Sequence, residues 1–312
     1  MKPIRVAAVL IALGLVGCAA KKHLTADQYF REASDNFRGE AFTLAVDQFH
    51  ELLDEYPFSQ YNEEAELRIA HAQYLLGNYA EAIVAFTDFQ RRHPTSPHLP
   101  FIGYYLGMCY AKQLRTIDRD QGAAQNALNV FLTVIQQYPD SPFADLAREH
   151  AAGCRKNLAE HELYIASYYA KRGKDKAAEI RLLTLAARYG DTEASADGLL
   201  RLAKLYRRDK QDSEAVLAYR ALEQMHPRSA QAGVAKRALN RLAKVDAPPD
   251  GDPLDILLAA NGRQRSSGNL EVVQVPGLEP MRTARRPSTP AGPGFSPPMD
   301  PFGRGAGRGF PY

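Results

Sequence analysis

The stretch LRIAHAQYLLGNYAEAIVAFTDFQRRHP, residues 67–94, decides the fold. Gly77 sits where a tight turn needs a positive φ, which costs glycine least. Ala82 is small enough to let two antiparallel helices approach, and Phe86, four residues on, lies on the same helix face. Pro94 ends the second run, because it lacks an N–H and restricts the residue before it. The stretch reads as helix, short turn, helix.

The same skeleton recurs along the chain when segments are anchored on Pro57, Pro94, Pro139, Gly190 and Pro227. Twelve residues before each anchor stands an alanine: Ala45, Ala82, Ala127, Ala178 and Ala215. Eight residues before it stands a large apolar residue: Phe49, Phe86, Phe131, Leu182 and Tyr219. Two residues after it stands a hydroxyl, Ser59, Ser96, Ser141, Thr192 or Ser229, suited to cap the next helix. Gly39 and Gly173 are placed, like Gly77, at the turn inside a hairpin. Gly190 replaces the proline of the other copies, which predicts a looser end to the fourth repeat.

This skeleton resembles the tetratricopeptide repeat. The resemblance implies an all-α chain, a superhelical stack of about five tetratricopeptide-like helical hairpins plus a capping helix, over residues 24–245. Anchor spacings of 37, 45, 51 and 37 exceed the standard unit of about 34. The two long gaps predict a loop at 113–122 and an elongated helix over about 143–172. A last amphipathic helix, 230–245, covers the hydrophobic face that such a stack leaves open.

The first residues read as an export signal. Lys2 and Arg5 precede an uncharged apolar run from Val6 to Val16, shorter than the roughly 20 residues that span a bilayer. Leu15-Val16-Gly17-Cys18 resembles the lipobox of bacterial lipoproteins, which implies removal of residues 1–17 and lipid on the Cys18 thiol. Residues 18–23 then form a lipid-anchored N-terminus, and several acyl chains supply stable attachment. An ordinary signal peptide with a chance cysteine is the plainer alternative. By the same resemblance Ala19, rather than an aspartate, directs the chain to the outer membrane.

Of the 39 Lys and Arg, Lys2 and Arg5 leave with the signal, so 37 basic residues face 36 acidic ones. This balance argues against a nucleic-acid partner. Cys109 and Cys154 remain; an oxidising compartment permits a disulfide, and buried free thiols fit as well. Residues 246–312 hold 12 of the 20 prolines and 10 of the 22 glycines, a composition that predicts disorder. Within them 253–261 can wind one or two helical turns around Leu254, Leu257 and Leu258, readable as a docking peptide or as a chance apolar cluster.

Nothing in the chain reads as an enzyme, and no cofactor is expected. The eight histidines include Glu149-His150 and Glu160-His161-Glu162, without the spacing of a metal or catalytic motif. Gly303-Arg304-Gly305-Ala306-Gly307-Arg308-Gly309 follows no strand and precedes no helix, so it is no phosphate loop. A scaffold that holds peptides or partner domains remains.

Three segments narrow that reading: Tyr56-Pro57-Phe58-Ser59-Gln60-Tyr61, then Gly103-Tyr104-Tyr105-Leu106-Gly107, then Glu162-Leu163-Tyr164-Ile165-Ala166-Ser167-Tyr168-Tyr169-Ala170-Lys171-Arg172-Gly173. With the lipobox and five repeats they resemble the BamD family, lipoproteins of the β-barrel assembly machine. The resemblance implies a protein on the periplasmic face of the outer membrane. Its partners would be the barrel protein BamA, other assembly-machine lipoproteins, and unfolded outer-membrane proteins carrying an aromatic-rich terminal β-signal. It further implies a client-peptide pocket at Phe58 and Tyr61, with Tyr104 and Tyr105 as wall residues; packing between helices is the alternative for all four. A BamA interface is implied at Arg181, Tyr168, Tyr169 and Arg172, with Arg181 placed to engage a carboxylate through two hydrogen bonds. A pilotin-like lipoprotein escorting secretin subunits shares the anchor and repeats but not the elongated helix with Tyr168-Tyr169. A cell-division coordinator fits poorly, because no heptad run lies between Cys18 and Thr25.

Overall fold

The computed structural model describes residues 24–242 and 251–263, and these contain twelve α-helices. In chain order they are α1 (Ala26–Arg38), α2 (Phe42–Glu55), α3 (Asn62–Leu75), α4 (Tyr79–Arg92), α5 (Leu99–Ala111) and α6 (Gly122–Gln137). There follow α7 (Pro142–Lys171), α8 (Asp175–Arg188), α9 (Glu193–Arg208), α10 (Asp212–Met225), α11 (Ala230–Arg241) and α12 (Pro253–Ala260). α1 pairs with α2, α5 with α6, α7 with α8 and α9 with α10, and α11 follows as the expected cap. The loop at 112–121 and the 30-residue α7 account for the two long repeats.

Each repeated residue does the same job wherever it recurs. Ala45, Ala82, Ala127, Ala178 and Ala215 are all 0% exposed, as small residues at the buried side of a hairpin should be. Phe49, Phe86 and Phe131 are fully buried, with Leu182 and Tyr219 close behind. After each second helix the chain makes one and the same turn, in which the hydroxyl residue's N–H reaches back three residues at 3.0–3.1 Å. The hydroxyls of Ser59, Ser96, Ser141, Thr192 and Ser229 then accept from a backbone N–H two or three residues on, at 3.1–3.3 Å. This satisfies a donor that the helix start leaves unpaired.

Two sequence expectations change here. The fourth turn is no looser, since Thr192 N–H donates to the Tyr189 carbonyl at 3.0 Å as in the other copies. Gly190 replaces proline because an added Cβ would stand 2.7 Å from the Ala186 carbonyl oxygen and 2.5 Å from Met225 Cε. The positive φ inside the first hairpin falls on Glu40 (61°), not on Gly39 (−78°). Glu40, Gly77, Gly173 and Lys210 each lie five residues before the repeat alanine and each has φ between 59° and 80°. Around all four the helix closes in a Schellman pattern: the next residue's N–H reaches back to the carbonyl five residues away, at 2.9–3.0 Å.

The chain divides into two compact units, one running through Ala72 and the other from Gln73, so the boundary falls inside α3. In the first, α1, α2 and the start of α3 enclose Tyr29, Phe37, Phe49, Leu52 and Ile69. In the second, α5 packs on α6, α7 on α8 and α9 on α10, while α5 touches α7, α7 touches α9 and α9 touches α11. Two apolar clusters fill it, one centred on Phe131 and Leu158, the other on Leu183, Leu199, Tyr206 and Leu222. The expected capping helix ends at Arg241, short of Val245; 243–250 lie outside the described residues. The expected disorder of 246–312 does not hold at 253–260. There α12 buries Leu254, Leu257 and Leu258 to 1% exposure or less, and that burial offsets the ordering entropy the composition alone could not.

Candidate partner-binding surfaces

The inter-repeat turn after α2 brings two of the expected site residues together and gives them opposite surroundings. Phe58 projects fully into solvent, 100% exposed. Tyr61 is half-buried: its ring stacks on Phe30 with centroids 4.5 Å apart, and its Oη donates to Asp27 Oδ1 at 3.0 Å. Its own N–H is taken by Ser59 Oγ, which fixes the turn. Tyr61 is therefore a strut that holds the turn, and Phe58 is the side chain the turn displays.

Tyr104 and Tyr105, on α5, belong to the second unit. Tyr104 is 9% exposed and its Oη lies 3.2 Å from His150 Nε2. Its ring meets Tyr105, Phe143 and Phe131 at 5.2–6.1 Å. Burial, reinforced by the neighbouring Tyr105, pushes its hydroxyl up to about 12. Tyr105 packs on Phe101 at 4.5 Å and edge-on to Tyr74 at 5.0 Å. Packing accounts for both rings.

Of the expected BamA-facing residues, Tyr168 and Tyr169 lie on α7, Arg172 caps its end and Arg181 lies on α8. Tyr168 is 44% exposed, with the Arg172 guanidinium 3.6 Å above its ring and Tyr169 edge-on at 5.7 Å. Tyr164, also 44% exposed, stands one turn earlier, so Tyr164, Tyr168 and Arg172 form a stripe. Arg201 of α9 reaches the same stretch, donating to Ser167 Oγ at 2.7 Å. Arg181, on α8, instead pairs within the chain: its Nη1 donates to both carboxylate oxygens of Glu162 at 3.2–3.3 Å. Glu162 and Tyr168 are six residues apart, roughly 120° around the helix. The sequence reading held Tyr164 within the segment that carries the resemblance but did not assign it to the interface, which its four-residue spacing from Tyr168 would have done. Arg201 had no local signal, because only the packing of α9 on α7 brings it there.

Glu179, two residues before Arg181, is 6% exposed; it accepts from Tyr206 Oη at 2.8 Å and pairs with Lys176 at 2.8 Å. Cys109 and Cys154 are free and buried, and burial pushes both thiols up to about 12, which keeps them protonated and inert. His161 Nδ1 contacts the Ile117 carbonyl, pinning the 112–121 loop to α7. Among the described residues no cluster of His, Cys, Asp and Glu could hold a metal ion, and no helix is long and apolar enough to cross a membrane. Cys18 and the export signal lie outside the described residues.

Comparison with known proteins aligns with this architecture. The family described as YfiO, outer membrane lipoprotein, matches residues 22–220. A relative from Caulobacter vibrioides, named outer membrane protein assembly factor BamD, is 30% identical over 183 residues, 56% of this chain and 60% of that protein. Its namesake from Xylella fastidiosa is 28% identical over 188 residues, 54% of this chain and 64% of that one. The chain thus spans about three fifths of the length of these relatives. The namesake from Vibrio cholerae is 27% identical over 52% of this chain and 74% of its own length. Among solved structures, the TPR2AB-domain:pHSP90-complex of yeast Sti1 is 15% identical over 70% of this chain and 84% of that one, with a TM-score of 0.36.

Proposed function

The chain belongs to the YfiO family of outer membrane lipoproteins, and from that membership we propose that it is a non-catalytic scaffold of the outer-membrane β-barrel assembly machinery. The observation that carries the reading is the family match over residues 22–220, which takes in α1 through α9 whole and enters α10. Lipid on Cys18 holds the scaffold at the periplasmic face of the outer membrane. A BamA-like barrel protein and the other lipoproteins of the machinery are its standing partners, and unfolded outer-membrane proteins are its clients.

Within that reading the α7 surface receives the barrel protein. Tyr164, Tyr168 and Arg172 offer aromatic rings beside a cation, and such residues dominate the energetics of protein interfaces. Arg181 joins them at the edge of the contact. A guanidinium carries five N–H donors, and Glu162 engages only Nη1 of it, which leaves room for a second carboxylate from the partner. Phe58 receives the client: an exposed ring displayed on a braced turn meets an aromatic-rich extended segment. Tyr104 and Tyr105 act as packing residues of the second unit rather than touching the client.

Depletion of the chain in its native cell tests the reading. Outer-membrane β-barrel proteins as a class are expected to fall several-fold. A loss confined to one secretin would identify a pilotin instead. At the residue level, Tyr168→Ala with Arg172→Ala should reduce recovery of the barrel protein in a pull-down at least ten-fold. Undiminished recovery removes this stripe from the interface.

A further inference from the structure

The short helix α12 sits on α8 and α10, the second helices of the last two hairpins, in a seat with the parts of a peptide-binding groove. On α8 the seat is marked by Lys176 and Thr184, which hydrogen-bond residues at the end of α12, and on α10 by Leu217, Ala221 and Gln224. Residues at these spacings share a helix face. Leu254, Leu257 and Leu258 join one buried apolar cluster with Leu217 and Ala221, which are 6% and 1% exposed. Polar contacts clasp both ends. Gln224 Nε2 donates to Asp252 Oδ2 at 3.3 Å at the start of α12. At its end Lys176 Nζ donates to Asn261 Oδ1 at 2.9 Å and Arg263 Nη1 to Thr184 Oγ1 at 2.6 Å.

The segment also carries its own start and stop. Asp252 caps the first turn through Leu254 N–H at 2.9 Å and Asp255 N–H at 3.2 Å, and Pro253 occupies the first helical position. Gly262, at φ 65°, closes the helix, with the Arg263 N–H on the Leu258 carbonyl at 2.8 Å. Eight helical residues do not hold a helix in water by themselves, so the groove is what orders α12. Leucines at first, fourth and fifth positions seated between two helices follow the helix-in-groove mode of peptide recognition.

We propose that the α8–α10 groove is a helix-binding site, plugged in this chain by its own α12, and that it accepts from a partner an amphipathic helix of the same chemistry. That helix would carry leucines at positions one, four and five, an acidic N-cap, and a side-chain amide at its end. Tethering gives α12 an effective concentration near the millimolar range, so a free helix enters only when the plug is out. The proposal stands apart from the assembly-machine reading, since it names a second site on a different face of the repeats.

The test uses the full chain and a fluorescein-labelled synthetic peptide of residues 250–264. Leu257→Asp with Leu258→Asp takes the plug out, and this variant should bind the peptide at least ten-fold more tightly than the parent. Adding Leu217→Asp should abolish that gain. Equal binding by parent and plug-out chain, no binding by the plug-out chain, or indifference to Leu217→Asp each overturns the proposal. Hydrogen exchange on the unmodified protein gives a second reading. Amides of α12 should exchange at least ten-fold faster than those of α10, by local opening. Equal protection, or loss of cooperative melting in the plug-out variant, makes α12 an integral part of the fold and ends the plug account.

Discussion

The second helices α2 and α10 share one buried skeleton and differ on the side turned away from it. Both bury the repeat alanine, Ala45 or Ala215, and the ring four residues on, Phe49 or Tyr219. Two, six and nine residues after the alanine, α2 presents Asp47, Glu51 and Asp54, while α10 presents Leu217, Ala221 and Gln224. The acidic stripe leaves Asp47 and Asp54 exposed, whereas the apolar stripe carries α12. A repeat therefore separates two kinds of information. Its inward positions specify the hairpin, and its outward positions specify what, if anything, is added to it.

That separation can be broken first at the skeleton. Phe49→Ala and Tyr219→Ala remove the same inward position from the two helices, and each should cost about 3–5 kcal/mol. Urea unfolding followed by circular dichroism would read it; a cost confined to one helix would show that the skeleton is not shared. The outward positions come next. Leu217→Asp places a charge where a leucine was buried and should cost about 2–4 kcal/mol. Asp47→Leu should change stability by no more than about 0.5 kcal/mol. Similar penalties for both would erase the contrast between the stripes.

The turns before the two helices sharpen the same comparison at smaller scale. Glu40 before α2 and Lys210 before α10 hold φ of 61° and 59° without being glycine. Left-handed backbone costs an L-residue about 1–2 kcal/mol, and glycine returns roughly half of that through its looser unfolded state. Glu40→Gly and Lys210→Gly should each raise stability by up to about 1 kcal/mol, and Gly77→Ala should lower it by a similar amount. Thermal melts of the three variants would expose any reversal of sign.

The smallest effect concerns pH. The turn after α10 holds His226 where the turn after α2 holds Tyr56. Burial lowers the His226 pKa, with Asp191 opposing. The unfolded chain then takes up the proton first, so stability is present above pH 6.5 and is lost as pH falls below it. Replacing His226 with Tyr should flatten that loss between pH 7 and 5. An unchanged slope in denaturant titrations would assign the acid sensitivity to other groups, of which His150, also lowered by burial, is the first to examine.

Much of the fold was legible because each repeat repeats a physical constraint. Pro57, Ala45, Phe49 and Ser59 say the same thing as Pro227, Ala215, Tyr219 and Ser229, and five agreeing copies outweigh any single propensity. The site was less legible. Phe58 could be picked out as an aromatic in a turn, yet only the Phe30 stack and the Asp27 bond distinguish Tyr61 as its brace. Arg181 and Glu179 are two residues apart in the sequence, yet helix geometry turns Glu179 inward to Tyr206 and gives Arg181 to Glu162. The sequence marked Leu254, Leu257 and Leu258 as a short helical cluster within a disordered composition, but not that it packs on α8 and α10. Such long-range pairings leave no trace in local spacing.

The account rests on the repeats being a docking platform at the outer membrane. Detergent extraction and affinity purification of the tagged, full-length chain from native membranes tests this most directly, with stoichiometric partners identified by mass spectrometry. The expected result is a BamA-like barrel protein recovered in near one-to-one ratio, and its loss on Tyr168→Ala with Arg172→Ala. Recovery of a secretin in its place, or of no stoichiometric membrane partner, would contradict it.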